Sequence, residues 1–190
     1  MSLVYISEKK FDKVNFTETP LTKGEYENCD FTNCDFSNSD LSTIKFFACT
    51  FTDCNLILVN VTKTSFCDTR FKNNKMLGFR FDQCNPFNLS FSFDHCQLNL
   101  SSFYKLNIKK TSFKNSQLQE VDFTDSDLTQ SVFENCELNR AIFSNTILEK
   151  ADLVSAVNYL IDPRLNRIKK AKFSLSGAVG LLKFFEIEVV

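Results

Sequence analysis

Eight cysteines and a single histidine are the residues of this 190-residue chain best suited to chemistry. Thiolates act as nucleophiles, redox partners and zinc ligands, and zinc sites bring them in C-x2-C pairs or with histidines at short fixed intervals. Cys29, Cys34, Cys49, Cys54, Cys84, Cys96 and Cys136 show no such pairs; most stand five residues or a multiple of five apart. His95 precedes Cys96, and neighbours in extended chain point to opposite faces, so these two diverge instead of forming a nucleophile and its base. The only glycines are Gly24, Gly78, Gly177 and Gly180, too scattered for a phosphate-binding loop. No catalytic residue, metal or cofactor is expected.

Carboxylates are the other chemical resource. Between Gln119 and Asn139 stand Glu120, Asp122, Asp125, Asp127, Glu134 and Glu137 without a Lys or Arg. Such a run could meet a basic groove on a partner. The whole chain carries a net charge of only -1, which announces neither a nucleic-acid binder nor a strongly acidic protein. The amino terminus lacks the apolar core of a signal peptide, and no stretch is long enough to span a membrane, so a cytoplasmic protein is expected.

The elements that hold these residues follow from the spacing itself. Residues 29–43 read CDFTN, CDFSN, SDLST, a five-residue repeat that fits neither helical nor strand periodicity. Large apolar residues recur every five positions from Phe11 to Phe81, and again from Phe93 to Leu153 in a register displaced by two. Two positions before the centres the residues are mostly small, as in Cys29, Cys34, Ser39, Thr64, Ser101, Ser126 and Ala151. In extended chain residues two apart share a face, so centre and small residue point inward together. Asp and Asn recur between them, at Asp30, Asp35, Asn55 and Asp122, where their side chains can bond neighbouring backbone at a corner. The cysteines therefore occupy buried packing slots, except Cys67, which follows the centre Phe66 and should be the most accessible thiol.

The blocks CDFTN, CDFSN, SDLST, VDFTD and SDLTQ resemble the pentapeptide-repeat family, over roughly Phe11 to Leu153. The resemblance implies an all-β fold, a right-handed quadrilateral β-helix with four blocks per coil. Residues twenty apart should then stack, giving an aromatic column of Phe11, Phe31, Phe51 and Phe71. The expected organisation is one domain: an N-terminal cap over 1–10, a first β-helix segment over 11–83, a register break over 84–92, a second segment over 93–173 and a C-terminal cap over 174–190.

The break falls in FDQCNPFNLSFSFDHC, with Phe91 fitting both registers and Pro86 marking a bulge. Asn74 and Phe79 stand in slots mostly held by small residues, and Lys72, Lys75 and Arg80 make this region basic. Beyond Leu153 the second series continues faintly through Asn158, Pro163, Ile168 and Phe173. Ser174 or Ser176 can then cap a short helix, and FEIEVV alternates like a terminal strand.

End coils of a solenoid need covering, but this cap is more apolar than covering requires. The surplus, Leu181, Leu182, Phe184, Phe185, Ile187 and Val189, implies a homodimer joined at the carboxyl ends, as in the quinolone-resistance proteins of the family. Two functions compete. The resemblance implies a DNA mimic that binds DNA gyrase or another topoisomerase and protects it from quinolones, with Glu120 to Glu137 as the contact. The alternative is an interaction scaffold with another partner. Charge weighs against mimicry, because duplex DNA carries one negative charge per about 1.7 Å and a rod of roughly eight coils at about 4.8 Å would need some twenty.

Overall fold

The computed structural model describes residues 4–185, 187 and 188. Each block is a short extended piece ending in a corner, and the residue two after most centres turns the chain with a positive φ. Asn28, Asn33, Asn38, Asp53 and Asn73 all hold φ between 50° and 55°, a region that Asn and Asp tolerate best. Aspartates before the centres brace these corners: Asp35 accepts the Ser37 N–H at 2.9 Å and Asp127 that of Thr129 at 3.0 Å.

Four blocks close one coil, and about eight coils stack as a right-handed quadrilateral β-helix. Every strand pairs in parallel with the one in the next coil. Side one carries β1 (Val4–Ser7), β3 (Gly24–Glu27), β5 (Lys45–Phe47) and β7 (Ser65–Cys67). Side two is a nine-stranded sheet of β2 (Lys10–Asp12), β4 (Asp30–Thr32), β6 (Thr50–Thr52), β8 (Thr69–Lys72), β9 (Phe91–Asp94), β10 (Ser112–Lys114), β11 (Val132–Glu134), β12 (Asp152–Leu153) and β13 (Lys172–Phe173). Sides three and four are joined by single bridges, such as Asp35 with Asn55 and Asp40 with Asn60.

The interior is filled by columns of centres. Beneath side two Phe11, Phe31, Phe51, Phe71, Phe93, Phe113 and Phe133 stack with centroid separations of 4.7 to 5.4 Å. Beneath side four Phe81, Phe103, Phe123 and Phe143 repeat the arrangement, while Leu98, Leu118 and Leu138 fill side three. Burial of this continuous apolar surface, at about 25 cal/mol per Å², is the main source of stability.

The register break leaves side two intact. Phe91 takes the small-residue slot beside Thr69, and Phe93 stacks on Phe71. The extra residues swing out on side one, where the sheet ends at β7. Asn85 braces the swing by accepting the Phe87 N–H at 3.1 Å, Leu89 turns inward, and Phe87 is 73% exposed at the tip.

Three expectations about the ends are corrected. Residues 4–7 form no separate cap: β1 pairs with Gly24–Glu27 and already belongs to the first coil. Asn158 does not point inward; it turns a corner with φ 61°, and Tyr159 and Ile161 take the buried places. Among the described residues no strand follows the C-terminal helix α1 (Leu175–Leu182): Lys183 to Phe185 close a tight helical turn, and Ile187 and Glu188 lie in no strand. The rest of FEIEVV, at positions 186, 189 and 190, lies outside the described residues.

Candidate functional site

Where the slot two before a centre holds Cys, Ser or Thr, it is in most cases a donor site as well as a small one. Cys54 Sγ reaches the Phe31 carbonyl at 3.4 Å, Thr64 Oγ1 that of Leu41 at 2.7 Å, and Ser101 Oγ that of Met76 at 3.0 Å. Each side chain bonds a main-chain carbonyl in the preceding coil. This explains why Cys, Ser and Thr outnumber Ala there, a role that size alone did not reveal. Asn74 fits by the same rule, donating to the Phe51 carbonyl at 2.9 Å and accepting the Cys54 N–H at 2.7 Å.

The seven slot cysteines are buried and all eight are free thiols. Burial pushes Cys49, Cys54 and Cys136 up to about 12, so they stay protonated. Cys67 is half-buried and the most open of the eight, and burial raises it too. His95 is exposed on a corner with Nδ1 at 2.8 Å from Asp94 Oδ1, and it turns away from buried Cys96. Among the described residues no group of three or more His, Cys, Asp and Glu could hold a metal ion.

The six carboxylates of the acidic run do not converge. Asp122 faces side four, Asp127 side one, Glu134 side two and Glu137 side three, with Glu120 and Asp125 on corners. Three meet cations: Lys109 lies 3.1 Å from Asp127, Lys114 3.0 Å from Glu134 and Arg140 3.7 Å from Glu120. Burial alone would raise the Asp127 carboxyl, but the Thr129 hydrogen bonds and the Lys109 ammonium outweigh it and hold it below the usual range. Glu137 accepts both the Asn139 N–H and the Asn158 amide. Asp122 accepts only within its own corner.

At the C-terminal end, Ser174 caps α1 by accepting the Gly177 N–H at 3.0 Å. The helix lies against Tyr159 through Gly177 and Gly180, where a Cβ would collide with the Tyr159 hydroxyl and main-chain oxygen respectively. Its opposite side carries Leu175, Val179 and Leu182 at helical spacing, and none of them is buried. Of the residues expected to join two chains, Leu181 turns toward the core and Phe184 is half-buried. Leu182, Phe185 and Ile187 are exposed, with the Arg164 guanidinium 5.5 Å from the Phe185 ring; Val189 lies outside the described residues. Leu175, 93% exposed, went unrecognised in the sequence because it sits in a serine-rich stretch ahead of the apolar run. No helix among the described residues is long and apolar enough to cross a membrane.

Comparison with known proteins agrees with this geometry. No curated protein matches the sequence. Two solved structures of QnrB1, a plasmid-mediated fluoroquinolone resistance protein, superpose on it. The full-length form gives a TM-score of 0.64 at 17% identity, covering 97% of this chain and 100% of the other; a trypsin-treated variant gives 0.63 at 17%, covering 100% of both. HetL, a pentapeptide-repeat protein involved in heterocyst differentiation regulation in the cyanobacterium Nostoc sp. strain PCC 7120, gives 0.51 at 12% identity over 90% of this chain and 88% of that one. Residues 10–46 match the pentapeptide repeats (8 copies) and residues 89–155 the pentapeptide repeat region, together more than half of the chain. On sequence and architecture alike, the chain belongs to the pentapeptide-repeat family.

Proposed function

We propose that this protein is a non-enzymatic binding protein that engages other proteins through its outer surface, as a dimer joined through its C-terminal caps. The observation that carries the reading is α1, which turns Gly177 and Gly180 toward the solenoid and Leu175, Val179 and Leu182 toward solvent. A helix that only covered the last coil would be oriented the other way, since its apolar side would be the one removed from water.

A second reading narrows the partner to DNA gyrase or another topoisomerase, with protection against quinolones as the outcome. Likeness to the fluoroquinolone resistance protein QnrB1 along the full length of both chains favours it. The acidic segment contributes least to this reading, because its carboxylates are divided among four sides and half of them are paired. Asp122 on side four and Asp125 at the corner it shares with side one have no cation within 4 Å among the described residues, only Arg80 and Lys105 further off, and are its best-placed members.

Supercoiling by purified gyrase, with and without a quinolone, tests this reading. Relief of drug inhibition at micromolar protein, weakened by added salt and by Asp122→Lys with Asp125→Lys, is the expected result. No effect on supercoiling in either condition would leave a scaffold for another protein as the function.

A further inference from the structure

Leu58, Leu77 and Leu100 surround Gly78 on the edge between sides three and four, in three successive coils. They are 69%, 41% and 54% exposed, and Ile57 beside them is half-buried. Leu58 and Leu100 are themselves corner residues, with φ of 57° and 63°. That conformation disfavours a leucine, which lacks the local hydrogen bonds that make Asn suitable. Solvent exposure disfavours it again. A polar residue would serve the corner better on both counts, so the fold alone does not account for these leucines.

Gly78 separates them. Its φ is +66°, and a Cβ built there would meet nothing within 4 Å, so the edge is notched at this point. With coils about 4.8 Å apart, Leu58 and Leu100 form walls about 10 Å from each other, room for one apolar side chain, with Leu77 alongside.

On side three the charge beside the notch has one sign, while the carboxylates nearest to it elsewhere are paired: Glu120, next after Leu100 along the corner row, with Arg140, and Asp82 on side four with Arg80. Outward positions on side three from Asn55 through Lys75, Gln97 and Asn99 to Gln117 carry no carboxylate, and Lys75 has no acidic partner within 4 Å among the described residues. Lys72 adds a second cation on the adjoining side two. Interface centres are depleted in charge and rimmed by it, as here.

We propose that this notch docks a segment of a partner protein that inserts an aliphatic or aromatic side chain between Leu58 and Leu100 and sets a carboxylate against Lys75. This surface is distinct from the C-terminal cap and from the acidic run, and it operates whether or not the partner is a topoisomerase.

Three labelled synthetic peptides test it by fluorescence anisotropy: a leucine flanked by glutamates, a leucine flanked by lysines, and a serine flanked by glutamates. The intact protein should bind the first in preference to the other two. Gly78→Asn, which the left-handed corner accepts and which fills the notch, should weaken binding at least about tenfold, equivalent to 1.4 kcal/mol. Lys75→Glu should transfer the preference to the lysine-flanked peptide. Leu58→Asn and Leu100→Asn should lose binding while melting at or above the temperature of the parent. Equal or absent binding of all three peptides would overturn the proposal, as would a large fall in melting temperature for the leucine variants, which would assign them to the fold. Self-association of the parent that Leu100→Asn abolishes would also overturn it, by giving the notch to a second copy.

Discussion

Phe71 stacks on Phe93 at 5.4 Å with their rings 11° from parallel, although 22 residues separate them where every earlier pair in the column is separated by 20. The aromatic column therefore passes through the register break undisturbed, and the break's cost falls on side one.

Continuity of the column sets the consequence of interrupting it. Phe51→Ala removes a ring held between Phe31 at 4.7 Å and Phe71 at 5.3 Å, all fully buried, and should cost about 3 to 5 kcal/mol. Urea unfolding of the two proteins measures it. A difference below about 1 kcal/mol, of order an exposed-site change, would contradict a packed column.

Asn74→Ala should cost more than its small loss of volume indicates, because it strands the buried Cys54 N–H and removes the side-chain donor to the Phe51 carbonyl. Each unsatisfied group is worth roughly 1 to 3 kcal/mol. Asn166 makes the matching pair of bonds to the Thr146 N–H and the Phe143 carbonyl, so Asn166→Ala provides an independent second measurement. Equal stability of parent and variants would show that water replaces the amide.

Alkylation of the native protein followed by mass spectrometry should modify Cys67 first and leave the seven buried thiols untouched. Its thiol sits above the ordinary value, so less thiolate exists at neutral pH than for a free cysteine and the reaction should be slower. The rate should continue to climb at pH values where a free thiol has levelled off. A rate matching free cysteine at neutral pH would mean a more open site than the structure has.

Leu175→Ser with Val179→Lys alters only the outward side of α1. Light scattering should find about two chains for the parent and one for the variant, with the melting of the solenoid little changed. A single chain for both would remove the cap as an interface.

The repeat made the interior legible before any coordinates, because inward positions answer to volume and recur coil after coil in the same geometry. The exceptional Cys67 follows from spacing alone; side two and both Phe columns follow from spacing together with the four blocks per coil that the family resemblance implies. The surface was less legible. Whether Glu134 meets Lys114, or Leu58 stands beside Leu100, depends on which blocks stack, and the two extra residues before Phe91 change that pairing for everything beyond. The last coil failed for a different reason: with Asn158 and Pro163 at nominal centres, the periodic signal was too weak to show that Tyr159 and Ile161 had replaced them.

Because one block is one side, chain length and azimuth are coupled along this rod. Loss or gain of a single five-residue block would preserve the bonds within each block yet rotate all that follows by a quarter turn, changing the bearing of α1 relative to the leucine edge by that angle. Among changes of whole blocks, only those that make up whole coils are silent in direction. The bulge at Phe87 takes up two added residues without such a rotation, so it keeps the two halves of the molecule in angular phase. Natural or engineered length variants should accordingly divide into those that conserve bearing and those that remain folded but present their surfaces to the wrong quarter.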